Sequence, residues 1–229
     1  MYSKNYVLDY LWQHSRFYHF CLHQSEELYR EGKGYAALVM LLNCLENIFK
    51  SAINDYDSRA VDIYKSTYNA GLISETEHVF LNEGQYCLRN IRNLYAHANI
   101  AAINLIVNEN GKNIYWPLTE NDTSLLIYEK ISDIVFNLIL KIVSTNFIAE
   151  IRNSINACFD DEIKKCALNF TTLTVEQLLV MKGFPVNYLD GCEDISEDAK
   201  IRLINNAPDV GIFPSFLSPI EKTEDSEDE

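Results

Sequence analysis

The sequence predicts a mainly α-helical protein: an antiparallel helical bundle, one short β-hairpin late in it, and a helical and irregular C-terminal extension. Three observations predict this. Apolar residues return every three or four positions through most of residues 1–147, the period of helices that bury one face. Gly32 and Gly71 fall where two of these runs end, as helix C-termini favour. The period switches only once, to short β-rich runs on either side of Asn110-Gly111, a hairpin signal.

Residues 5–30 read as one long amphipathic helix, with Tyr6, Tyr10, Phe17, Cys21 and Leu28 at helical spacing. Residues 35–54 form a second helix, apolar almost all round through Leu45, which predicts the most buried place in the bundle. Residues 57–70 form a third. Ser74 and Glu77 have the spacing of a capping box. The helix they open is expected to run to Ala98 through Phe80, Tyr86, Ile91 and Leu94, with Gly84 a weak point inside it. Residues 103–107 and 113–116 are the hairpin strands, and Pro117 ends the second. A long helix follows, capped at Asp122 or Thr123 and running to about Asn146. Beyond it, residues 148–168, 174–182 (capped near Thr174, stopped at Gly183) and 199–206 are expected to be helical. Residues 221–229 are too acidic and too poor in apolar side chains to order themselves. The expected organisation is therefore a helical domain over 1–147, an extension over 148–220 and a disordered tail over 221–229.

The formal net charge is −14, which disfavours nucleic-acid binding over the surface at large. The acid is concentrated, however. Residues 221–229 hold six acids and one lysine, and residues 190–198 hold five acids and no base. The remainder carries only about −4, so a local basic site is compatible with the composition. No uninterrupted apolar run reaches the roughly 18–20 residues a bilayer needs. The first residues lack the basic segment and apolar core of a secretory leader. A cytosolic protein with no membrane partner is expected. The six cysteines have neither C-x-x-C nor zinc spacing and are expected to be reduced and mostly buried. No metal and no cofactor is expected.

The chemistry-bearing segment is Arg92-Asn93-Leu94-Tyr95-Ala96-His97, which closes the predicted helix before the hairpin. Asn93 and His97 are four apart and share a helix face, and Arg89, four before Asn93, joins that stripe. Arg92 and His97 are five apart, about 140° around a helix, and project from adjoining faces. Arginine stays charged and holds phosphate; histidine titrates near neutrality and moves protons. Glu46 lies in the most apolar helix and has two readings: a surface pair with Lys50, or a carboxylate orienting Arg92 or His97. Tyr95 is either a core residue or a platform on which a base stacks. His14, His19 and His23 cluster without an acid or cysteine to complete a metal site. Arg16 and His23 also stand with six residues between them, but no polar residue follows Arg16.

The order of elements resembles the HEPN family: a long helix, a very apolar second helix, a helix closing with Arg-Asn-x-x-x-His, then a hairpin and a fifth helix. That family's signature is an arginine, four to six residues, then a histidine, often with a polar residue such as asparagine after the arginine. The resemblance covers 1–147 and not the C-terminal extension. It implies a HEPN-like bundle that dimerises through the motif helix, bringing two Arg/His pairs into one cleft. It implies a metal-independent endoribonuclease with Arg92 and His97 catalytic and with Asn93, Arg89, Tyr95 and Glu46 in supporting or RNA-binding roles. It also implies a toxin–antitoxin or anti-phage defence setting, with an antitoxin or nucleotidyltransferase as partner. The alternative is a non-catalytic HEPN scaffold or a module that binds a nucleotide or a partner.

Overall fold

Gly34–Ile53 forms the central helix, α3, because almost every turn of it offers an apolar side chain; Ala37, Leu38, Leu41, Leu45, Ile48 and Phe49 are all buried. The computed structural model describes residues 1–97, 100–109, 111–145, 159–166 and 168–206. It is mainly helical, and its one sheet among the described residues has three antiparallel strands. By contact the chain divides into two compact units, Met1–Thr172 and Leu173–Glu229.

In the first unit, α1 (Lys4–His14) and α2 (Arg16–Arg30) precede α3, and α4 (Ala60–Asn69), α5 (Glu75–Asn82) and α6 (Leu88–His97) follow it. The hairpin strands β1 (Ile103–Glu109) and β2 (Lys112–Pro117) lead into α7 (Asn121–Thr145), and α8 (Asp160–Lys165) and β3 (Asn169–Thr172) close the unit. α2 and α7 make the most extensive contacts with α3. By length and composition α3 would suffice to cross a membrane; here its apolar faces meet those two helices.

Two expected helices are each split. The run over 5–30 breaks at Ser15, whose extended backbone (φ −153°, ψ 98°) and hydroxyl, accepting from the Tyr18 amide at 3.4 Å, make it the N-cap of α2. The run from Ser74 to Ala98 breaks after Asn82, and Gly84 takes φ +86°, a conformation glycine adopts at no steric cost. The capping box of Ser74 and Glu77 is present in full. The expected cap of the long helix lies earlier. α7 begins at Asn121, so Asp122 and Thr123 sit in its first turn, and the Thr123 hydroxyl donates to the Pro117 carbonyl at 2.6 Å.

The strand order is β2-β1-β3, with Leu105 opposite Trp116 on one side and opposite Phe170 on the other. β3 is absent from the sequence expectation. The helix expected over 148–168 is described only at its end, as α8; residues 146–158 and 167 lie outside the described residues. Because β3 completes the sheet, the first unit extends to Thr172, and the expected boundary near 147 falls inside it.

Gly34 shows how closely the helices approach. A Cβ there would lie 2.5 Å from the Asn121 carbonyl oxygen and 2.6 Å from the Leu125 nitrogen. The Asn121 carboxamide accepts from the Gly34 amide at 2.7 Å and donates to the Gly32 carbonyl at 2.7 Å. The α2–α3 turn is thereby fastened to the start of α7. Farther along α7, Lys141 donates to both carboxylate oxygens of Glu77 at 2.9 and 2.7 Å, with both side chains almost wholly buried. Pairing is the condition for holding two charges inside a core.

The second unit contains α9 (Val175–Met181) and α10 (Glu197–Asn206), the latter starting two residues earlier than expected. Thr174 and Gln177 form a second capping box, and Gly183 at φ +75° ends α9 as expected. The Lys182 ammonium donates to the Asn205 carbonyl at 3.2 Å, tying α9 to α10. The acidic segment 221–229 lies outside the described residues.

Candidate functional site: the Arg92 face

α6 packs against both α3 and α5, with Leu88, Ile91 and Tyr95 turned into the core. That stripe fixes the helix's rotation and leaves Arg92 and Asn93 half-buried at its edge. The Arg92 guanidinium donates through Nη2 to Oε2 of Glu46 on α3. The other carboxylate oxygen of Glu46 receives Lys50 Nζ at 3.1 Å. Both sequence readings of Glu46 therefore hold together: the carboxylate pairs with Lys50 one turn along its own helix and also holds Arg92. Two cations share one anion, which leaves a surplus positive charge at this point of an acidic chain. Arginine has five donors, so the bond to Glu46 leaves others for a phosphate.

Tyr64 of α4 is buried behind this pair. Burial first, and then the Glu46 carboxylate, push its hydroxyl well above the ordinary tyrosine range, with Arg92 pulling the other way. Nothing in the local sequence marks Tyr64, because it is an ordinary core position on its own helix.

The Asn93 carboxamide makes no side-chain hydrogen bond among the described residues and is half-buried at the helix edge, available to a ligand. His97 is the last residue of α6; its side chain lies outside what the structure describes. The backbone of α6 gives the expected order, with His97 one turn beyond Asn93 on the same face and about 140° from Arg92.

Two supporting residues have other duties. Arg89 donates through Nε to the Asn82 side-chain oxygen at 2.8 Å and through Nη2 to the Asn82 carbonyl at 3.1 Å. It satisfies a carbonyl left open at the end of α5 and braces α5 against α6, so two of its five donors serve the fold. Tyr95 is only 6% exposed, so neither ring face is open to a base, and the stacking expectation gives way to the core one. Its hydroxyl shares a 3.0 Å hydrogen bond with Ser124. Burial pushes its pKa up to about 12, with the Ser124 bond acting in the opposite direction.

Sequence reasoning did not single out Tyr35, at the start of α3. Its hydroxyl donates to the Tyr95 carbonyl at 3.0 Å, and its ring lies 5.5 Å from that of Tyr95. Tyr35 thereby secures the second half of α6 while remaining exposed itself.

Comparison of the chain with family models, with curated proteins and with solved structures found no match.

Proposed function

We propose that the protein is a HEPN-type, metal-independent endoribonuclease that acts as a homodimer through α6. The observation that supports this best is the seat of Arg92. A helix carrying Arg-Asn-x-x-x-His before a hairpin presents its arginine on a half-buried carboxylate, oriented and still rich in free donors.

The ribose 2′-hydroxyl is the nucleophile. Its oxygen attacks the adjacent phosphorus, its proton passes to a base, and the bond to the 5′-oxygen of the next nucleotide breaks as that oxygen takes a proton. The products are a 2′,3′-cyclic phosphate and a 5′-hydroxyl. His97 is the proton carrier, its ordinary pKa being close to neutrality. Arg92 holds the non-bridging oxygens as charge builds on them, and Asn93 positions the phosphate by hydrogen bonding. Two copies meeting along α6 supply two such sets to one cleft, in the isologous way a two-fold axis demands. A cytosolic toxin–antitoxin or anti-phage defence setting, with an antitoxin or nucleotidyltransferase partner, belongs to the same reading.

One observation favours the second reading, a scaffold or nucleotide-binding module without cleavage: Glu46 already occupies part of the arginine that a phosphate would need. The two separate on one experiment. Purified wild type, Arg92→Ala and His97→Ala are incubated with labelled total RNA in EDTA, and the ends are analysed. The enzyme predicts cleavage by wild type alone, with cyclic-phosphate ends. Equal background from all three proteins would reject it in favour of the scaffold.

A further inference from the structure

α2 and α3 run antiparallel, joined by the short turn that Asn121 fastens, and between them lies an open groove of about 450 Å3. It extends from Phe17 near the start of α2 to Leu28 near its end, roughly 16 Å at 1.5 Å per residue. Its chemistry is mixed in a particular way. Phe17 and Tyr35 are 66% and 48% exposed. Val39, Met40 and Cys21 form an apolar floor. Asn43 and Asn47, four apart on the exposed side of α3, add two carboxamides that make no side-chain hydrogen bond among the described residues. None of the lining residues is charged, in a chain whose net charge is −14.

The groove also has an address. Asn43 precedes Glu46 by three residues, so it adjoins that carboxylate on the helix surface. Glu46 is shared by Arg92 and Lys50, so the surplus positive charge stands at the groove's edge. Tyr35 lines the groove and also bonds the backbone of α6.

We infer that this groove is a nucleobase subsite for single-stranded RNA, in which Phe17 and Tyr35 offer faces for stacking and Asn43 and Asn47 read base edges. It rests on the ribonuclease reading for its ligand. Aromatic faces beside a cationic track are how single strands are held, and a carboxamide is the group that pairs two-fold with an adenine edge.

The test uses the full chain with His97→Ala throughout, to prevent turnover, and a fluorescent five-nucleotide RNA with either ordinary bases or one abasic position. Phe17→Ala and Asn43→Ala are compared with Ala36→Trp, which fills the groove from an exposed position, and circular dichroism checks each fold. The expected result is a loss of affinity of about tenfold in each variant for the ordinary RNA. The variants should differ little from the parent on the abasic RNA. Parent-like binding by all three variants, with Arg92-dependent cleavage by the wild-type enzyme intact, overturns the subsite and leaves the ribonuclease standing. Absence of RNA binding by the parent, together with absence of cleavage by wild type, overturns both. If Phe17→Ala instead converts a dimer to a monomer with no base-dependent change, a second copy covers the groove and the inference fails.

Discussion

At the scale of single residues, the site turns on Glu46. A carboxylate in an apolar helix was visible in the sequence, as was Lys50 four residues on. That Arg92 joins them was not deducible, because 46 residues separate the pair and no local period links them. Once folded, the carboxylate holds the guanidinium at one edge. Glu46→Gln keeps the shape and removes the charge. In the proposed ribonuclease Arg92 acts mainly as charge develops on phosphate, so kcat and kcat/KM should fall together, roughly ten- to a hundredfold for a guanidinium displaced by about an ångström. Glu46→Asp should recover part of this. A fall in KM with kcat unchanged would mean that Glu46 competes with RNA and does not position Arg92. Tyr95 carries the opposite lesson, since its place in the motif suggested contact with RNA and its burial forbids it. Tyr95→Phe leaves the Ser124 hydroxyl without its partner, at a cost of about 1 kcal/mol, and should leave RNA affinity unchanged. The wild-type advantage depends on pH. The folded pKa is raised to about 12 from an unfolded value near 10, so the stabilisation is fully present below about pH 10. It declines as pH rises through about 12, by roughly 1.4 kcal/mol per unit. Denaturant titrations of both proteins at pH 8 and pH 11 should show the gap closing; a constant gap would refute the assignment.

At the scale of elements, the sequence was most informative where one residue type has one physical reason to be there. The Ser74 capping box, the apolar α3, the hairpin around Asn-Gly and the stop at Gly183 all appear as expected. The breaks were harder. Gly84 was visible as a weak point, but apolar spacing continued on both sides and hid the interruption. Ser15 interrupts a run with no glycine or proline at all; only its hydroxyl, satisfying a helix start, explains the corner. β3 is four residues long, too short to show a period, and its partner β1 is more than sixty residues away, so tertiary pairing alone defines it. Gly34 belongs to the same class. The sequence leaves it between the runs over 5–30 and 35–54, whereas the structure makes it the first residue of α3, pressed against α7. A methyl group there meets main-chain atoms that cannot rotate away. Gly34→Ala should therefore destabilise the protein by about 1–3 kcal/mol or more, in spite of alanine's better helix propensity. Thermal melts decide it: an unchanged or raised Tm would show that α3 and α7 can separate without loss.

At the scale of the whole molecule, the difficulty for an RNA-binding reading is charge. A chain at −14 repels a polyanion, and a surplus cation at Glu46 acts against that background. Residues 221–229 contribute six acids and one lysine, the densest part of the problem. Two accounts of this segment make different predictions. If it acts only through its charge, deleting it should tighten RNA binding at low salt, and the gain should vanish once ionic strength shortens the screening length to a few ångströms, near 1 M. The deleted segment added back as a free peptide would then inhibit no more than any other peptide of equal charge. If it instead mimics RNA and covers the Arg92 cleft, the gain should persist at moderate salt, and the free peptide should compete with RNA more strongly than a scrambled one of the same composition. Electrostatics beyond about 10 Å is screened at ordinary ionic strength, so the charge-only account is the economical one. We expect the gain to be salt-sensitive and the scrambled and native peptides to be equivalent. Affinities measured across a salt series for full-length and shortened protein carry the decision, since the two accounts differ in slope as well as in magnitude. An unchanged affinity at every salt concentration would remove the segment from RNA binding altogether and leave its charge to solubility alone.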